Sequence, residues 1–241
     1  MKSDLYSLFQ PIVDIRAKKL LGYEALTRRR GKRTSPSLLL RRAYDTGTTV
    51  ELDLACLRSA FAILPQLRRK ELLFVNVEPL TLASLFAEGK ERTVLLDRIA
   101  SYARQVVFEL TEGMKGRDFE FVKKGVSFIK SYGCRFALDD VAGVGFKLIQ
   151  LLSLKPHFIK IDISLVRGLQ KSRTQREIVS SLISLGKMSR SLLIAEGVER
   201  EKDLTFVDQM EIPYVQGFYF GRPQKRLLKD NQRGQRGQVS T

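Results

Sequence analysis

The residues of this chain that could do chemistry sit where apolar runs end. Asn76 closes LLFVN, Glu109 closes VVFE, Asp139 and Asp140 close RFALDD, and Glu196 closes LLIAE. Lys160 lies inside FIKID and Gln216 inside YVQG, while Glu24 interrupts LGYEALTR with Arg28 four residues on. Taken singly, each has an ordinary explanation. Strand ends run into turns, where Asp, Asn and Glu are common caps, and Glu24 could face water on an alternating strand. Taken together they ask for a common cause, because run after run delivers a polar group at the same relative position. The carboxylates and the amide make an all-oxygen set without a thiolate, which suits Mg2+ or Mn2+ better than zinc. One six-coordinate ion that keeps its waters cannot use them all. Two ions fit better, and a pair about 3.5 to 4 Å apart serves in-line attack on a phosphodiester. In that scheme Asp139 bridges and Asp140 binds one ion. Lys160 supplies positive charge or orients the attacking water, and Arg28 holds a substrate phosphate.

Residues spread from position 24 to position 216 meet only if the elements that carry them end on one face. Apolar strand-like runs alternate with helix-period segments, the pattern of a parallel sheet with helical crossovers. FQPIVDI (9–15) and LLGYEALTR (20–28) flank Arg16-Ala17-Lys18-Lys19 and read as an antiparallel hairpin. Strands are expected at 72–77, 106–110, 135–140, 158–162, 192–197 and 214–217. Helices are expected at 36–45, 52–67, 118–132, 174–189 and 201–210, with Leu52, Leu57, Phe61 and Leu64 suited to one face. The second hairpin strand joins the later ones in a parallel set and the first runs the other way. The fold class is α/β, a modified TIM-like (β/α)8 barrel with one antiparallel strand over residues 1–223, whose parallel strands bring their carboxyl ends together. Residues 224–241 are basic, polar and glycine-containing and read as a disordered tail.

With 241 residues, 44% of them hydrophobic, the chain can build one full core. Its apolar runs fall far short of the roughly 20 residues that span a bilayer, and the start MKSDLYSLFQP lacks a signal-peptide pattern. A cytoplasmic protein with no membrane partner is expected. Cys56 and Cys134 are the only cysteines, which leaves reduced core thiols rather than a disulfide framework or thiolate site. His157, the one histidine, reads as a core or surface residue rather than a ligand. A net charge of +16 favours anionic partners, although basic clusters such as Arg28-Arg29-Arg30 and Arg68-Arg69-Lys70 are ordinarily solvated faces.

The series FQPIVDI, YEALTR, FVNVEP, FELTE, ALDD, IKID, IAEGVE and YVQGFYFGRP, in this order over about residues 8–223, resembles the EAL domain family of cyclic-di-GMP phosphodiesterases. The naming motif stands as Glu24-Ala25-Leu26. The resemblance implies hydrolysis of one phosphodiester bond of cyclic-di-GMP to linear pGpG, with two Mg2+ or Mn2+ ions. It implies that Glu24, Asn76, Glu109 and Asp139 hold the first ion. Asp139 and Asp140 then hold the second, with Glu196 reaching it directly or through water. Lys160 stands beside the nucleophilic water, so that Lys160, Glu196 and Glu24 form the catalytic set. Arg28, Leu26 and Gln216 lie on the substrate side, and Glu112 anchors the loop after the aspartate pair. A homodimer is implied as well. No GGDEF, receiver or sensory module stands beside the motifs, so a separate regulatory protein partner is expected, and nucleic acid is disfavoured.

One stretch departs from the family. Where it typically reads Phe or Val, Gly, small, Gly, Tyr, Ser after the aspartates, this chain has Val141-Ala142-Gly143-Val144-Gly145-Phe146-Lys147. Glycine serves where the backbone needs a positive φ, so shifting it alters the loop's path. The alternative reading is therefore a catalytically weak or inactive EAL domain acting as a cyclic-di-GMP receptor or protein-interaction module. Glu78, where the family often has serine, is a milder difference.

Overall fold

A computed structural model describes residues 4–31, 35–85, 90–111, 119–139 and 153–228. The hairpin is β1 (Leu5–Asp14) and β2 (Lys19–Arg29). The later strands are β3 (Leu72–Asn76), β4 (Val106–Thr111), β5 (Arg135–Asp139), β6 (Phe158–Ile161), β7 (Leu192–Ala195) and β8 (Tyr214–Gln216). They close in chain order into one barrel. β1 runs antiparallel to both β2 and β8, and every other neighbouring pair is parallel. Short, continuous apolar runs form these strands because both of their faces are covered.

The period of two within a strand builds the interior in layers. Ile12, Leu72, Phe74, Val107, Ala137, Phe158 and Ile194 form one compact apolar cluster. Two residues beyond Phe74, Val107, Ala137, Phe158 and Ile194, on the same side of each strand, stand Asn76, Glu109, Asp139, Lys160 and Glu196. The intervening residues, among them Val75, Phe108, Leu138 and Ile159, face outward into a second cluster with the helices, where Phe61 meets Phe108 edge-on at 6.4 Å between ring centroids. β2 enters this scheme through Gly22, which pairs with Leu72. A Cβ on Gly22 would lie 2.1 Å from the Leu72 carbonyl oxygen, so the two backbones can approach only around a glycine.

The expected helices appear at Pro36–Asp45, Thr49–Phe61, Phe119–Ser131, Arg173–Ser189 and Glu201–Gln209. Ser35 caps the first by accepting from the Leu38 N–H. The second was expected to reach residue 67; it ends at Phe61, and a 3-10 turn at Leu64–Gln66 carries Pro65, whose ring does not fit a helix interior. Helices Pro79–Ser84 and Lys90–Tyr102 occupy the segment between β3 and β4. Among the described residues no helix is long and apolar enough to cross a membrane.

The segment just past the boundary expected at 223 packs on the barrel. Gln224 pairs with Phe9 through two backbone hydrogen bonds of 2.7 and 3.0 Å. The Leu228 side chain is buried, and its N–H donates to the Tyr23 hydroxyl at 3.1 Å. Apolar Leu227 and Leu228 anchor this segment despite its basic neighbours, so the packed chain reaches Leu228, and the rest of the expected tail lies outside the described residues.

Candidate functional site

At the carboxyl ends of the strands the inward positions converge on a lysine. Lys160 Nζ lies 2.7 Å from Glu196 Oε1, 2.9 Å from Glu109 Oε1, 3.2 Å from Asp139 Oδ1 and 3.4 Å from Glu24 Oε2. Each side chain comes from a different strand or its end, so residues 136 positions apart in Glu24 and Lys160 become neighbours through barrel closure alone. Glu24 is 6% exposed, which replaces the reading of a wet residue on an alternating strand. Asn76 donates to Glu24 Oε1 at 3.1 Å, and Gln216 donates to Glu24 Oε2 from the opposite side. Gln216 is positioned by Gln10, which accepts from it at 3.2 Å and donates in turn to the Gly221 carbonyl.

Four carboxylates share one ammonium, and the excess negative charge governs their protonation. Burial alone would lower the pKa of Lys160. The surrounding Asp139, Glu109, Glu196 and Glu24 outweigh that penalty and hold its pKa well above the ordinary lysine value. Burial likewise lifts Glu109 well above the usual carboxylate range against the pull of Lys160, with Glu24 and Asp139 adding to the rise. Glu196 is pushed up to about 8, chiefly by burial, again against Lys160.

Among the described residues no three His, Cys, Asp or Glu side chains close on a point that would hold a metal ion; the carboxylates turn onto Lys160 instead. Their chemistry nonetheless fits hard cations. The donors are all oxygen, their charge exceeds what Lys160 supplies, and Glu109 Oε2 is buried with no hydrogen-bond partner. Asp140 and Glu112, expected as ligand and loop anchor, lie outside the described residues, as does the Val141–Lys147 loop.

Two cavities flank the carboxylates, and Leu26 lines both. The larger, about 440 Å3, opens between β2, β3 and the helices Pro36–Asp45 and Thr49–Phe61, with Arg28, Asp53, Asn76, Glu78 and Asp139 on its wall. The smaller, about 230 Å3, lies beside Glu24, Glu196, Glu199, Gln216 and Phe218. Arg28 uses one N–H to bond the Thr27 carbonyl at 2.9 Å. His157 is remote from this mouth: it precedes β6, where its Nδ1 accepts from the Phe136 N–H at 3.2 Å.

Sequence reasoning missed several members of the site. Asp53 is buried, and its Oδ2 accepts from the Glu78 N–H at 2.9 Å. Burial pushes its carboxyl up to about 7 despite that bond. Glu78 is held from the other side by the Tyr44 hydroxyl, which donates to Oε2 at 2.7 Å. The available signal for Asp53 was an acid in the stripe that carries Thr49, Leu57 and Ala60, a helix face that is buried throughout.

The sequence and the fold are similar to those of known proteins. The family profile described as EAL domain matches residues 2–223. The cyclic di-GMP phosphodiesterase PdeF of Escherichia coli K12 is 26% identical, over 91% of this chain and 30% of its own length. The probable cyclic di-GMP phosphodiesterase PdeB of the same organism is 29% identical, over 94% of this chain and 44% of its own length. This chain thus spans less than half of those relatives. Among solved structures, the calcium and cyclic-di-GMP complex of Klebsiella pneumoniae BlrP1 superposes with a TM-score of 0.79 at 27% identity, covering 92% of this chain and 57% of that one. By fold and by a match over nearly its whole length, the chain belongs to the EAL domain family.

Proposed function

We propose that this chain is a cyclic-di-GMP phosphodiesterase acting in cytoplasmic second-messenger signalling, which opens one phosphodiester bond of its substrate to give linear pGpG. The observation that carries the reading is the set of four strand-end carboxylates around Lys160 Nζ. Two divalent cations, Mg2+ or Mn2+, held by Glu24, Asn76, Glu109, Asp139, Asp140 and Glu196, would lower the pKa of the attacking water and offset charge on the phosphodiester.

The chain's own residues supply the rest. Lys160, centred among the four carboxylates, would supply a positive donor that orients the water. Glu196, at 17% the most exposed of the four carboxylate side chains, is placed to take the proton that the water loses. Arg28 has a planar fork of donors suited to a phosphate oxygen. Gln216 and Asn76 hold Glu24 from two sides, fixing its orientation before substrate arrives. The cavities on either side of Leu26 suit the two bases of a cyclic dinucleotide. A homodimer and a separate regulatory protein partner belong to the same proposal.

Purified protein is incubated with cyclic-di-GMP and Mg2+ or Mn2+, and the products are resolved by chromatography. Metal-dependent pGpG that disappears in Glu24→Ala is the expected result. Binding without turnover at equal protein and substrate concentrations would sink the proposal and favour the receptor reading that the Val141–Lys147 sequence suggests.

A further inference from the structure

The end of the barrel opposite the carboxylates is formed by the β1–β2 turn and by the turns that lead into the parallel strands. The β1–β2 turn exposes Arg16, Lys18 and Lys19, and the approach to β3 exposes Arg68, Arg69 and Lys70. Arg104 stands exposed before β4, Lys155 before β6, and Lys187 and Arg190 before β7. The acids in these turns are fewer: Asp14, Glu71, Asp208 and Glu211. Asp14 is turned onto the backbone N–H groups of Arg16 and Ala17 at 3.0 and 2.8 Å, and Glu71 is buried and accepts from the Arg68 N–H. Exposed Asp208 and Glu211 remain at the end of the last helix, where Glu211 lies 3.9 Å from Lys187.

The backbone gives a second, independent sign. Among the described residues, the non-glycine positions with positive φ are Lys18, Lys155, Arg190 and Glu211, at 51°, 51°, 58° and 61°. All of them sit in turns of this end. Glycine adopts that conformation freely and other residues resist it, yet three of these positions carry a cation. Beside Lys187 and Arg190 the chain also exposes two apolar side chains, Met188 at 81% and Leu192 at 45%.

The distribution selects the partner. An extended nucleic acid is met by a stripe of cations with stacking aromatics. Here the cations ring a face built of short turns, and the exposed aromatics Tyr44, Phe121 and Phe218 belong to segments on the carboxylate side. A ring of Lys and Arg around protruding aliphatics matches a plane of anionic headgroups over an acyl boundary. We infer that this end of the barrel docks on an anionic lipid surface, with the cations against the headgroups and Met188 and Leu192 entering the interface. The carboxylate mouth then points into the aqueous phase, where a soluble anionic substrate has open access. The expectation of no membrane partner rested on the lack of a spanning segment, which does not bear on a surface contact, and the inference is independent of hydrolysis.

The test is co-sedimentation of the full chain with vesicles of phosphatidylcholine alone or mixed with phosphatidylserine. The protein is expected to pellet with mixed vesicles only and to be released by raised salt. Arg69→Glu with Lys70→Glu, and separately Lys18→Glu with Arg190→Glu, should each weaken partitioning about tenfold or more; should one pair fail to fold, the other decides. Met188→Glu should also weaken it, while Arg41→Glu with Arg42→Glu, exposed on the helix over the mouth, should leave it unchanged. Neutralising Lys229, Arg233 and Arg236 to Gln should leave most binding in place. Indifference to mixed vesicles overturns the inference. So does an equal loss in the Arg41 and Arg42 variant, a loss confined to the tail variant, or binding to a duplex oligonucleotide in place of the mixed vesicles.

Discussion

Asp53 is a carboxylate that the fold buries without a cation, and replacing it with asparagine isolates the consequence. Its pKa rises from 3.8 to about 7, chiefly through burial. Between those two values the unfolded chain releases the proton while the native state keeps it. Stability is therefore fully present below pH 3.8 and is lost as pH rises to about 7, beyond which the loss is constant. Roughly three pKa units correspond to about 4 kcal/mol. Asparagine keeps an oxygen to accept the Glu78 N–H but does not ionise. The rise to about 7 is already net of the lowering by the Glu78 N–H bond. Asp53→Asn should thus be more stable than the parent by about 4 kcal/mol at pH 8, or about 8 to 16 °C in melting temperature, and no more stable at pH 4.

Urea unfolding of both proteins at a series of pH values measures the difference directly, because titrations common to both cancel. A difference that does not vary with pH, or an Asp53→Asn protein less stable than the parent at pH 8, would refute the claim that Asp53 is a desolvated carboxyl. The same variant bears on the site, since Asp53 lines the larger cavity and supports the Glu78 backbone.

Gln216→Leu leaves Glu24 without one of its two amide donors, and turnover should fall about 10- to 100-fold with little change in KM; unchanged kcat would remove Gln216 from the positioning set. Gly22→Ala places a Cβ 2.1 Å from the Leu72 carbonyl oxygen and should cost about 3 kcal/mol of unfolding free energy, read from the urea midpoint. Leu228→Ala tests whether the segment after 223 belongs to the folded unit: a loss of about 2 kcal/mol or more is expected for a buried leucine, and a wild-type midpoint would restore the boundary at 223.

The strand-end residues were legible because β3 to β8 state their pattern in chain order, an apolar residue and then a polar one two places later. Gln10 escaped for the converse reason. On antiparallel β1 the polar residue precedes its apolar partner Ile12, so a search for polar groups after apolar runs passes over it, although Gln10 pairs with Glu24 across the hairpin. Asp53 escaped because strand ends drew the search and it lies in a helix. The packing of Leu227 and Leu228 was hidden because composition averaged over eighteen residues masked two leucines. Helix Lys90–Tyr102 was not singled out either. Its Val94 is 61% exposed while Leu95 and Ile99 are buried, so its apolar residues do not mark one clean face.

The alternation that gathers the site also ties it to the core. In β6, Phe158 and Lys160 point inward while Ile159 and Ile161 pack outward with the helices. A one-residue slip would send the ammonium into that apolar shell and leave the carboxylates without the cation they surround. The same holds for Glu109 between Phe108 and Leu110, both buried in the outer cluster. Register is therefore enforced from two directions at once: by the apolar layer two residues below, and by charge pairing above it. The pairing is incomplete, since one ammonium faces four carboxylates, so the barrel retains a buried negative surplus that a cation from solution would relieve. A site left short of positive charge by its own fold suits the proposed cations, and this holds in a protein whose net charge is +16 because Lys160 is the one Lys or Arg buried among the described residues.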